Sequence, residues 1–116
     1  MKHLILIILT LYSYSVFSQS DLFGTWNTNN EDNTTIEISE SKSQITGKIK
    51  SSDNPQTEIG TIILKDFKKD GNRWKAKLYA PKRGKWYDAI ISPKGQILEI
   101  EISVGFLSKT LEWKKS

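Results

Sequence analysis

Four side chains in the C-terminal half, Tyr79, Lys85, Tyr87 and Lys109, have the chemistry to orient an anionic group. The two ammonium groups supply charge and the two phenols supply O–H donors. Lys85 and Tyr87 are two apart, and so are Lys109, Leu111 and Trp113 in turn, so on strands each set projects to one face. A lysine that merely reaches from a rim into water has the same spacing. Glu99 and Glu101 could serve paired-carboxylate chemistry on a glycoside, being about 7 Å apart at Cα on an extended strand. They alternate with Leu98, Ile100 and Ile102, however, which claim the core side and leave both glutamates in water. Asp88, between Tyr87 and Ala89, is either outside or a single polar group at a cavity wall.

The residue inventory removes other chemistries. The chain has no Cys, and its only His is His3. Thiol catalysis, a Ser-His-acid triad in a chain processed beyond His3, and a zinc or copper site of imidazole and thiolate are excluded. The acidic patches Glu31-Asp32-Asn33 and Asp53-Asn54 lack the ligand count of a calcium loop and read as turns. The expectation is no metal, no cofactor and no catalysis. Gly84-Lys85 follows no glycine-rich loop, so it makes no phosphate cradle. Lys85-Trp86-Tyr87 has the flavour of a single-strand nucleic-acid binder. The lysines are nonetheless scattered along the chain, as on the wet face of a sheet, and nucleic acid is not expected as a partner.

These groups have to be positioned by strands. Thr34 to Ile38, Gln44 to Lys50, Arg73 to Leu78 and Leu98 to Ile102 alternate between apolar and polar residues with a period of two. Ile59 to Leu64 is apolar nearly throughout, as in a strand covered on both sides. Asp70-Gly71-Asn72 reads as a tight hairpin, and Pro81-Lys82-Arg83-Gly84 and Pro93-Lys94-Gly95 as turns. The longest gap, Ser51 to Glu58, predicts a mobile loop at a barrel mouth. No segment has a sustained helical period. About eight strands in one meander predict an all-β fold, a small antiparallel up-and-down barrel. At that size the interior is either filled by side chains or holds one small ligand. Trp26, Trp74 and Trp113 either plug such a core or line a narrow cavity.

The N-terminus gives an address. Met1-Lys2-His3 is a short basic start, Leu4 to Leu11 is almost all Leu and Ile, and Val16-Phe17-Ser18 fits a cleavage site before Gln19. The apolar core is much shorter than the roughly 20 residues of a membrane span. The expected organisation is a signal peptide at 1–18 and one domain at 19–116, secreted or periplasmic, with no stable membrane anchor after cleavage. Without Lys2 the domain carries sixteen Lys and Arg against thirteen Asp and Glu, a net charge of +3.

The chain from Asp21 to Lys114 resembles the exported bacterial domain family of unknown function DUF2147. Phe23-Gly24-Thr25-Trp26 is similar to the family's first strand, and Ile45-Thr46-Gly47-Lys48-Ile49 to the strand that follows. Gly60 to Gly71 with Trp74 resembles its central strand and hairpin. Leu78 to Tyr87 resembles its Tyr-Asp-Pro-x-x-Gly-Lys-x-Tyr segment. Val104-Gly105-Phe106 and Lys109-Thr110-x-x-Trp113 resemble its ending. Ala80 stands where the family pattern has Asp, and Lys109 where it has Arg, which loses a planar bidentate fork. The loops after Ile49 and from Gly105 to Lys109 are shorter than in that pattern. The resemblance implies a lipocalin-like (calycin) barrel. By that analogy Trp26 packs near a basic residue of the last strand, Lys109 or Lys114. It implies no established activity.

The resulting expectation is a barrel that holds a small hydrophobic or amphipathic ligand, with Tyr79, Lys85, Tyr87, Lys109, Trp26 and Trp113 as candidate contacts. The alternative is an envelope structural or protein-interaction module with a filled core. The state of the interior separates the two.

Overall fold

The computed structural model describes residues 21–116, and the expected signal peptide lies outside the described residues. Eight strands follow one another: β1 Gly24–Asn27, β2 Thr35–Ser41, β3 Gln44–Ser51, β4 Ile62–Asp70, β5 Arg73–Ala80, β6 Lys85–Lys94, β7 Ile97–Val104 and β8 Leu107–Lys115. Each pairs antiparallel with its sequence neighbours, and β1 pairs with β8 to close an up-and-down barrel. This is the all-β architecture expected from the alternating segments.

Alternation builds the core directly. Ile36 and Ile38 of β2, Leu78 of β5, Ile91 of β6, and Leu98, Ile100 and Ile102 of β7 all point inward and are buried. Each fully buried Ile or Leu contributes about 1.5–3 kcal/mol. Glu99 and Glu101 take the outer face, where Glu99 accepts a 3.1 Å ion pair from Lys94. Asp88 is also outside, paired with Lys77 across the β5–β6 ladder.

Two elements depart from the sequence expectation. The apolar run from Ile59 to Leu64 is not a doubly covered strand. Only Ile62 onward is strand, and the register slips beside Gly47 and Lys48 so that Lys48 pairs with Ile62 and Gly47 with Leu64. The extra residue of this bulge turns both Ile63 and Leu64 inward and leaves Ile62 exposed, while Ile59 stands exposed in the loop before the strand. The Pro93-Lys94-Gly95 turn is also displaced. Pro93 and Lys94 end β6 opposite Leu98 and Ile97, and the hairpin is carried by Gly95 and Gln96. A proline is tolerated near a strand end, where the ladder needs few further N–H donors.

One end of the barrel is plugged. Trp26 is fully buried there, and its indole Nε1 donates to the Leu22 carbonyl at 3.0 Å. The Lys115 ammonium lies 4.6 Å from the Trp26 ring centroid and donates to the Phe23 carbonyl at 2.8 Å. Lys115, not Lys109 or Lys114, is therefore the basic residue that meets Trp26. Alternation turns Lys114 away from the face shared by Lys109, Leu111, Trp113 and Lys115. Lys109 lies six residues along β8, about 20 Å at strand spacing. Gly24 makes the contact possible, because a Cβ there would sit 2.7 Å from Lys115 Nζ, and its φ of +133° suits glycine.

Candidate functional site

The opposite end is open. It is framed by the loops joining β1 to β2, β3 to β4, β5 to β6 and β7 to β8. Between them lies a chamber of about 620 Å³. Its walls are apolar: Ile36, Ile49, Ile63, Leu78, Ile102 and Leu111, with Trp113 deeper in. Polar groups gather at the rim. Thr28, Asn30, Asp32, Thr34, Asn54 and Thr57 come from the first two loops, and Lys82, Arg83, Tyr87 and Lys109 from the other side.

The first two loops brace each other. Thr34 and Ser52 hydroxyls are 3.1 Å apart, Asn33 Nδ2 donates to Asp53 Oδ2 at 2.8 Å, and the Asp53 backbone N–H donates to the Asp32 carbonyl at 2.7 Å. Asn30 Oδ1 accepts from the N–H groups of Asp32 and Thr34. The 51–58 segment expected to be a mobile mouth loop is at the mouth, and these hydrogen bonds pin it. The Asp and Asn residues of both acidic patches are spent on these loops: Asn33 and Asp53 bond across them, and Asn54 Oδ1 accepts from the Gln56 N–H within its own turn. Among the described residues no group of three or more His, Cys, Asp or Glu is placed to hold a metal ion.

The six candidate residues separate by position. Tyr79, Tyr87, Lys109 and Trp113 line the chamber. Tyr79 does so from the lip, with its ring 5.2 Å from that of Trp86. Lys85 shares the strand face of Tyr87 but lies beyond the lining, exposed at the start of β6. Trp26 is at the plugged end and takes no part in the chamber. The remaining buried indole, Trp74, packs edge-on to Phe67 at 6.2 Å. The tryptophans thus divide between both expected roles: Trp26 and Trp74 fill the core, and Trp113 borders open space. Lys82 and Arg83 were not singled out from the sequence. Pro81-Lys82-Arg83-Gly84 was legible as a turn, but which end of the barrel it occupies depends on strand order.

A closed up-and-down barrel of eight strands, plugged at one end and open to an apolar chamber at the other, has the architecture of the lipocalin-like proteins. More specifically, residues 24–115 match the model of a family described as an uncharacterized protein conserved in bacteria (DUF2147), and the chain belongs to that family. No curated protein and no solved structure matches the chain.

Proposed function

We propose that this protein is a secreted or periplasmic carrier that holds a small amphipathic molecule in its barrel without catalysing a reaction. The observation that carries the reading is the chamber of about 620 Å³, apolar within and cationic on one side of its rim. Ligand pockets fall at about 300–1,000 Å³ and are lined mostly by apolar side chains with a few placed polar groups. An acyl or other apolar tail would lie among Ile36, Ile49, Leu78, Ile102 and Leu111. An anionic head would meet Lys82, Arg83, Lys109 and the Tyr87 phenol. The export reading rests on the leader-like first eighteen residues. The non-catalytic reading rests on the lack of Cys and on a sole His at position 3, ahead of the cleavage point.

Dodecanoate titrated into the protein lacking residues 1–18 tests this, with the tryptophan emission as readout. Trp113 borders the chamber, so the expected result is a saturable change at one ligand per chain. Leu111→Trp, which places a bulky ring in the chamber, is expected to abolish that change while the fold still melts cooperatively. A linear, unsaturable response in the parent protein would overturn the proposal.

A further inference from the structure

The mouth is electrically lopsided. The β1–β2 and β3–β4 loops carry Glu31, Asp32, Asp53 and Glu58 and no Lys or Arg. The β5–β6 turn and the start of β6 carry Lys82, Arg83 and Lys85, and β8 begins with Lys109 after two residues; no carboxylate interrupts either stretch. The two basic segments are neighbours. The β6–β7 ladder ends at Ala89 opposite Ile102, and both strands run on past it in the same direction, to Lys85 and Val104. The two turns therefore stand side by side on one half of the rim.

That half also presents apolar surface to water. Phe106 and Leu107, at the tip of the β7–β8 hairpin, are 108% and 76% exposed. Trp86 lies just below the β5–β6 turn and is 37% exposed, with Lys65 Nζ 4.1 Å from its ring centroid. A stable protein interface needs a broad apolar centre ringed by polar groups. Two projecting side chains flanked by four cations and an amphipathic indole fit a different surface. Peripheral attachment to a membrane takes an inserted apolar group together with a basic patch, and Trp favours the headgroup zone.

We propose that the lip formed by the β5–β6 and β7–β8 turns docks reversibly on an anionic lipid bilayer. Phe106 and Leu107 enter the interfacial zone, and Lys82, Arg83, Lys85 and Lys109 lie against the headgroups. The acidic half of the rim is repelled by the same surface, so the barrel tilts with that half raised. The chamber then opens against the bilayer. The consequence that an amphiphile passes between the two rests on the carrier reading above; the docking does not.

All eight strands lie within residues 21–116, so the protein lacking residues 1–18 is the material for the test. Its sedimentation with phosphatidylcholine vesicles is compared with that on vesicles containing phosphatidylglycerol. The expected result is partitioning at least about tenfold stronger on the anionic vesicles, falling as salt is raised. Phe106→Ser with Leu107→Ser is expected to lower it about tenfold or more, and so is Lys82→Glu with Arg83→Glu. Ile59→Ser removes an exposed apolar residue (60%) from the acidic loop and is expected to leave partitioning unchanged. Thermal melts of each variant establish that it folds. Equal partitioning on both vesicle types, or an Ile59→Ser effect as large as that of the Phe106/Leu107 pair, would overturn the proposal. The dodecanoate titration, run without vesicles, reports the chamber alone, and Phe106 and Leu107 lie outside its lining, so the Phe106→Ser with Leu107→Ser protein is expected to lose docking and keep the titration.

Discussion

Gly47→Ala places a methyl group where β3 has no room for one. The added Cβ would lie 2.9 Å from both Cβ and Cδ1 of Leu64 and 3.2 Å from Cγ2 of Ile36. Carbon atoms pack best at about 3.5–4.0 Å, so the contacts with Leu64 are too close by about 0.6 Å or more. Leu64 Cδ1 can swing aside, but its Cβ is fixed to the backbone, and β4 itself must shift. Gly47 has no positive φ, so alanine suffers no backbone strain there. On chain entropy alone the substitution would stabilise by about 0.4–1 kcal/mol. Overpacking costs about 1–3 kcal/mol, and contact with an immovable Cβ belongs in the upper part of that range. The net expectation is a loss of about 1–2 kcal/mol, and a Tm lower by about 5–15 °C for a domain of this size. Urea unfolding followed by tryptophan emission, with a thermal melt beside it, measures both. In a Leu64→Ala background only the Cδ1 contact is relieved, so part of the cost persists. A Gly47→Ala protein that melts at or above the parent temperature would refute the close-approach argument.

The same kind of reasoning covers other positions. Among the described residues Trp74 Nε1 is buried without a hydrogen-bond partner, whereas Trp26 Nε1 is bonded to Leu22; Trp26→Phe is expected to cost about 1–2 kcal/mol more than Trp74→Phe in chemical denaturation, because only the former orphans a carbonyl. Gly24→Ala combines an unfavourable φ with a clash on Lys115, and a loss of about 1–3 kcal/mol is expected from the backbone strain alone, with the clash added to it; in a Lys115→Ala background the melt should report the strain without the clash. The Lys77 ammonium hydrogen-bonds the Asp88 carboxylate, and that bond, with the attraction between the charges, raises its pKa above the ordinary value. A raised folded-state pKa gives stability that is fully present below the unfolded pKa and lost as pH climbs through the folded one, so the pair contributes at neutral pH, fades only on the alkaline side and, being exposed, is weakened by salt. An NMR titration should find Lys77 titrating above the ordinary lysine value, and Asp88→Asn should lower it.

Strands with one wet face were readable because period-two alternation survives in the sequence, as at Leu98 to Ile102. Asp70-Gly71 likewise announced a hairpin, and Gly71 there has a φ of +65°. Other features left no such trace. The β2–β3 hairpin turns on Lys42 and Ser43, both with positive φ, although neither residue type favours it. The inward turn of both Ile63 and Leu64 arises from a one-residue bulge against β3, a cross-strand event. The partner of Trp26 depended on the β1–β8 register, which sets Trp26 opposite Lys115. For the chamber, Tyr87, Lys109 and Trp113 were accessible through strand faces. Lys82 and Arg83 sit on a turn, where alternation assigns no side, and only the arrangement of the loops around one mouth brings them to the rim.

The β1–β8 seam gives the barrel an order of assembly. Every other pairing joins strands adjacent in the chain, while this one joins Trp26 to Lys115 and Asn27 to Lys114 and spans nearly the whole domain. Closing so long a loop costs more entropy than closing any hairpin, and it is repaid by two residue pairs, the Lys115 contacts and a 3.0 Å hydrogen bond from the Ser116 N–H to the Thr25 carbonyl. The seven hairpins can therefore form as a curled ribbon before the ends meet. Contacts made that late belong to the descent from the transition state, so weakening the seam quickens unfolding and leaves refolding nearly unchanged. The Gly-x-Trp segment and the final lysine work as a latch, and the lifetime of the closed barrel is set where its two ends fasten.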